Sequence, residues 1–82
     1  MDTVNSDEII FLIKEIFNIG SNVTILGEMG PRDVYGWDSI GMVNLIVTVQ
    51  SKYSIDFPMD KLEQLNDINS LVQIINEQLL YQ

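Results

Sequence analysis

The 82 residues contain no cysteine and no histidine. Without a thiol there is no disulfide, no thiolate nucleophile and no Cys-based metal site. Without an imidazole, Ser-His-Asp, Cys-His and His-zinc chemistries are excluded together. Positive charge is also scarce: Lys and Arg number 4 against 12 Asp and Glu, for a formal net charge of -8. Such a chain repels phosphate backbones and anionic lipid, so neither nucleic acid nor a membrane is expected as a partner. A basic protein surface is the complementary one. The apolar run Ile9 to Ile13 near the start falls far short of the roughly 20 residues of a membrane span. The start, from Met1 to Glu8, is acidic and lacks the basic region of a signal peptide. The expectation is one free-standing domain over residues 1–82, cytoplasmic and monomeric.

Apolar residues make up 46% of the chain, enough for a compact core. Their spacing predicts an all-α fold: a small bundle of three main helices plus one short one, with a long loop between the first and second. The first helix is expected over Asp7–Phe17, with Ile9, Ile13, Ile16 and Phe17 at helical spacing and Ile10, Phe11 and Leu12 widening the stripe. Asn5 and Glu8 stand as a capping-box variant, and Gly20 as the stop. The loop Ile19–Asp38 holds four of the five glycines. Its Val23, Ile25, Leu26, Met29 and Val34 are expected to pin it to the core. Helices are expected over Ser39–Tyr53 behind Asp38, over Met59–Leu65 after Pro58, and over Ile68–Leu80 behind Asp67. In the last of these, Ile68, Leu71, Val72, Ile75 and Leu79 form the buried stripe. Ile55 and Phe57 read as an extended loop, because three residues make a poor strand.

The second main helix is unusual. At ~100° per residue, Met42, Val43, Leu45, Ile46, Val49 and Tyr53 share one arc, and Gly41, Asn44, Thr48, Ser51 and Lys52 lie opposite. Ile40 and Val47 fall outside the core arc, one heptad apart. They are either the edge of a wide core stripe or a small exposed patch for a partner. Ser39 opens this helix directly after its cap. A small polar residue there is ordinary, yet the position also suits a phosphate on the hydroxyl, through the first-turn amides and the helix dipole.

Gly36-Trp37-Asp38-Ser39-Ile40-Gly41-Met42-Val43-Asn44-Leu45-Ile46 resembles the Asp-Ser-Leu signature of acyl and peptidyl carrier proteins. Tyr53-Ser54-Ile55-Asp56-Phe57-Pro58 resembles the segment that follows the second helix in that family, and Asp67-Ile68 with Leu71-Val72 resembles the start of its last helix. The resemblance covers about Trp37 to Leu80. It implies a carrier that is not itself an enzyme, with phosphopantetheine attached to Ser39 by a phosphopantetheinyl transferase and with acyl or aminoacyl cargo held as a thioester. A chain without cysteine then handles thioester chemistry with a borrowed thiol. Asp38 is the helix cap and, by resemblance, helps orient the transferase complex and its metal. The family's acyl pocket lies between the helices, with Val43, Ile46, Val49 and Ile75 as lining residues. Ile40, Val47 and Asn44 are the candidate partner contacts, for loading and synthase enzymes with basic or apolar docking patches.

One departure bears on the pathway. The second helix of the best-known fatty acid carriers is strongly acidic, whereas Ser39–Tyr53 holds one charged residue, Lys52. Asn44 stands where those carriers place a Glu, and Gln50 and Ser51 replace further acids. A specialised pathway is therefore expected. The alternative is an unmodified acidic adaptor that binds a partner through the second helix. A calcium-binding reading of Asp56, Asp60, Glu63 and Asp67 fails, because the loop lacks the alternating ligands and central glycine of an EF-hand.

Overall fold

The computed structural model describes residues 3–81, so Met1 and Asp2 of the acidic start and the final Gln82 lie outside the described residues. The order is α1 (Ser6–Ile16), α2 (Ser39–Tyr53), a 3₁₀ helix η1 (Met59–Gln64) and α3 (Ile68–Leu80), with no strand among the described residues. The second and last helices have the expected bounds, and α1 is shifted by one residue at each end. Helix α1 packs against both α2 and α3. The centre of the core is aliphatic: Ile9 and Ile13 from α1, Leu45 and Val49 from α2, and Ile68, Leu71 and Ile75 from α3, each at 0% exposure. Burying a side chain of this kind stabilises the fold by roughly 1.5–3 kcal/mol, and the three helices share this term.

Caps set the helix bounds. The Asn5 side chain accepts the Glu8 N–H at 2.9 Å and starts α1. Glu8 does not complete a capping box. Its carboxylate instead accepts the Tyr53 hydroxyl at 2.6 Å, joining the start of α1 to the end of α2. Burial, and then the Glu8 carboxylate, push the Tyr53 phenol well above its ordinary range. At the other end of α1, Asn18 and not Gly20 takes the left-handed turn, with φ 56°. The Ile19 N–H donates to Lys14 O at 2.9 Å and the Asn18 N–H to Glu15 O, which closes a Schellman motif. Asparagine tolerates this backbone region, so the stop comes two residues before the glycine.

The short segment after Pro58 is where the expected helix is present but differs in kind. Lys61 N–H donates to Pro58 O and Leu65 N–H to Leu62 O, the i to i+3 pattern of a 3₁₀ helix. Six residues are too few for a stable α-helix, and the segment is held by Leu65, at 4% exposure, just after it. Ile55 and Phe57 are both buried in the extended connection, and the Phe57 N–H donates to Gln50 Oε1 at 2.9 Å.

The long loop is held at fewer points than its apolar content suggests. Val34 is buried and Ile25 and Met29 pack on the core, but Val23 and Leu26 are each 45% exposed. Hydrogen bonds to α3 supply the rest of the anchoring. The Ile68 N–H donates to Met29 O and the Asn69 N–H to Gly27 O, both at 2.9 Å. Gly30 lies so close to the Asn66 carbonyl that a Cβ there would overlap it.

Candidate functional site

The loop returns to the bundle through Trp37, which is 3% exposed. Its ring packs against Phe17, with centroids 6.3 Å apart, and its indole N–H donates to the Met42 sulfur at 3.3 Å. Trp37 is thus a packing residue, and it fixes the peptide immediately before the helix. The Asp38 backbone is extended, and its carboxylate accepts the Gly41 N–H at 2.8 Å. Asp38 O also accepts the Met42 N–H at 2.8 Å, so α2 begins at Ser39.

A close contact between two glycines holds this corner. Gly36 has φ 94°, where side chains are strained. Its carbonyl faces Gly41 so closely that a Cβ on Gly41 would stand 2.1 Å from the oxygen and 2.9 Å from the Phe17 ring. The helical wheel places Gly41 toward solvent, yet it is buried under the loop. The signal was present in the sequence as two glycines flanking Asp38-Ser39, but its meaning depends on where the loop lies.

Ser39 is exposed at the tip of α2. The first N–H groups of an α-helix have no acceptor within the helix. Here the Asp38 carboxylate takes that of Gly41, which leaves those of Ser39 and Ile40 at the helix end beside the Ser39 hydroxyl. The dipole and these amides favour a phosphoryl group at that oxygen. A cleft of about 490 Å³ runs alongside, bounded by Pro31, Trp37, Asp38, Ser39, Met42, Val43 and Leu62. An exposed hydroxyl, free amides and an adjoining, largely apolar cleft fit a phosphodiester that carries a slender organic arm. Pro31 and Leu62 were not foreseen as part of this cleft. Of the expected pocket residues only Val43 borders it, whereas Ile46, Val49 and Ile75 are buried in the core.

Ile40 and Val47 are 74% and 56% exposed, so they are not part of the core. Val43, expected inside, is 59% exposed. With Ile40 three residues before and Val47 four after, it completes a stripe on one helix face. Asn44 is exposed in the same turn, and its carbonyl accepts the Thr48 hydroxyl at 2.7 Å.

Residues 8–75 match the family model described as the phosphopantetheine attachment site. Among solved structures, the solution NMR structure of holo acyl carrier protein from Geobacter metallireducens superposes with a TM-score of 0.82 at 25% identity, over 93% of this chain and 86% of that one. No curated protein matches the chain. The chain belongs to the family of phosphopantetheine-binding carrier proteins. It is a carrier of acyl cargo on a covalently attached phosphopantetheine and not itself an enzyme, and carrier proteins in general interact with transferases and synthase enzymes.

Proposed function

We propose that Ser39 is the attachment residue, that Asp38 positions it, and that Ile40, Val47 and Asn44 meet partner enzymes of a specialised pathway. The observation that carries the assignment is the open start of α2, where an exposed hydroxyl stands beside unclaimed amides and a cleft. When attached, the phosphopantetheine supplies the thiol that the sequence lacks, and cargo rides on it as a thioester. The protein residues act by position. Asp38 fixes the first turn, the amides face the phosphodiester, and the cleft walls lie beside the arm's origin. The flexible arm then presents cargo to successive enzymes at high local concentration.

Incubation with coenzyme A and a broad-specificity phosphopantetheinyl transferase is expected to add one arm per chain. Ser39→Ala should abolish the addition and leave the circular dichroism spectrum unchanged. Labelling that persists in the Ala variant overturns the assignment. Ser6 also opens a helix directly behind its cap, but its hydroxyl donates to Asn69 Oδ1 at 3.1 Å, the Ser70 hydroxyl donates to Asp67, and Ser21, Ser51 and Ser54 do not stand at a helix start.

The stripe of Ile40, Val43 and Val47 supports an apolar centre for docking, and the absence of acids along α2 supports a specialised pathway. Exposed ion pairs are worth about 0.2–1 kcal/mol each, so several missing ones cost a decade or more of affinity for a basic synthase patch. The holo-protein should therefore be a poor substrate for malonyl transferase and ketosynthase of housekeeping fatty acid synthesis, and Asn44→Glu should raise the rate. Rates equal to those of the housekeeping carrier, measured side by side, overturn the specialised reading. A single monomeric cytoplasmic domain completes the proposal.

A further inference from the structure

We propose that Phe11 anchors a second docking surface, on the outer face of α1, for a basic protein partner whose contact surface has an apolar centre. Helix α1 turns Ile9, Leu12 and Ile13 into the core. At ~100° per residue, Phe11 falls on the opposite side, and its side chain is 64% exposed. The sequence pattern places Phe11 with the core stripe, because Phe11 and Leu12 are adjacent in an apolar run. The fold gives the phenyl ring no such role. It stands at the centre of the solvent face of an otherwise amphipathic helix.

One exposed aromatic is not a site by itself, and the charge around it decides the reading. Asp7 and Glu15 lie four residues before and after Phe11, and Glu8 three before, so all three share its face. Each is exposed. Lys14, the one basic residue of α1, lies three residues after Phe11 and shares its face, so three acids stand against one base there, and its ammonium extends toward the Ser21 carbonyl at 3.4 Å. Glu8 is held in place by the Tyr53 hydroxyl. The result is an apolar knob in an acidic rim. A second copy of this chain would bring the same rim and the same net charge of -8 against it. An anionic membrane is repelled in the same way. A surface that pairs Lys or Arg around an apolar centre complements both the ring and the rim, with the aromatic as the energetic anchor and the acids steering association. The surface uses neither Ser39 nor the α2 stripe. A partner bound there would hold the carrier while leaving α2 available to an enzyme.

The test titrates a synthetic amphipathic helical peptide of about 18 leucines and lysines, four to five turns long, into the isotope-labelled holo-protein, observed by amide NMR. The largest shift changes are expected between Asp7 and Glu15. Phe11→Ser is expected to weaken binding about tenfold while the circular dichroism spectrum stays unchanged. Glu15→Lys should weaken it to a smaller extent, and raising salt to about 0.5 M should weaken the wild type. Shift changes centred on α2, or unaltered binding by Phe11→Ser, overturn the proposal. So does a dimer in sedimentation that Phe11→Ser disperses, because the occupant would then be a second copy.

Discussion

Helices α2 and α3 both start behind an aspartate, Asp38 and Asp67, whose carboxylates accept the N–H three residues on at 2.8 Å, from Gly41 and Ser70. Beyond that shared cap the two ends differ. At α3 the next two amides, of Ile68 and Asn69, donate to Met29 O and Gly27 O of the long loop. The Ser70 hydroxyl adds a bond to Asp67 at 2.7 Å, and Ile68 is fully buried. At α2 the loop gives its carbonyl contact to Gly41 instead, and Ser39 and Ile40 remain exposed with their amides at the helix end. The same local device therefore has two outcomes, decided by where the loop lies. One helix start is closed by structure, and the other is left open.

The comparison breaks most severely at Gly41. An added Cβ would displace the Gly36 carbonyl and the Phe17 ring. Gly41→Ala is expected to lower stability by about 1–3 kcal/mol, despite alanine's better helix propensity. Denaturant unfolding reads this, and slower modification of the folded fraction should accompany it.

Removing the caps sharpens the contrast. Loss of an N-cap costs about 0.5–2 kcal/mol, and Asp67→Ala should fall at the upper end because it also strands the Ser70 hydroxyl. Asp38→Ala should cost less in stability and more in the rate of arm attachment. The Asp67 cap also has a pH signature. The Ser70 hydroxyl, and then the Ser70 N–H, hold the Asp67 carboxyl below its ordinary range. A lowered folded-state pKa gives stability that is complete above the unfolded value of about 3.9 and is lost as pH falls through the folded one. Asp67→Asn should flatten that acid limb in a stability-against-pH series. The smallest effects are expected at the open surface. Ile40→Ala and Val47→Ala should each cost under about 1 kcal/mol, against the 2–5 kcal/mol typical of a core truncation, while weakening transferase binding. A large stability loss from either would return that residue to the core.

Local rules carried much of this. Caps at Asp38 and Asp67 were legible because side-chain capping acts over three residues, and the bounds of α2 and α3 follow from it. The place of Ser39 at the start of α2 was legible for the same reason. The wheel left Ile40 and Val47 open between core edge and exposed patch and misplaced Val43 and Gly41, since which edge of an apolar arc is covered depends on neighbours distant in sequence. Phe11 was misassigned for that reason as well, and Ile74, at 6% exposure, was left out of the last helix's stripe. The closure of the α3 start by Gly27 and Met29 is a backbone contact between residues about forty apart, and no side-chain pattern announces it.

Amide NMR of the apo- and holo-protein tests the difference between the two helix starts most directly. The account predicts rapid hydrogen exchange at Ser39 and Ile40 and protection at Ile68 and Asn69 in the apo form. On attachment of the arm, the Ser39 and Ile40 amides should shift while those of Ile68 and Asn69 stay unmoved. Equal protection at the two ends, or an arm that leaves Ser39 and Ile40 unshifted, would contradict it.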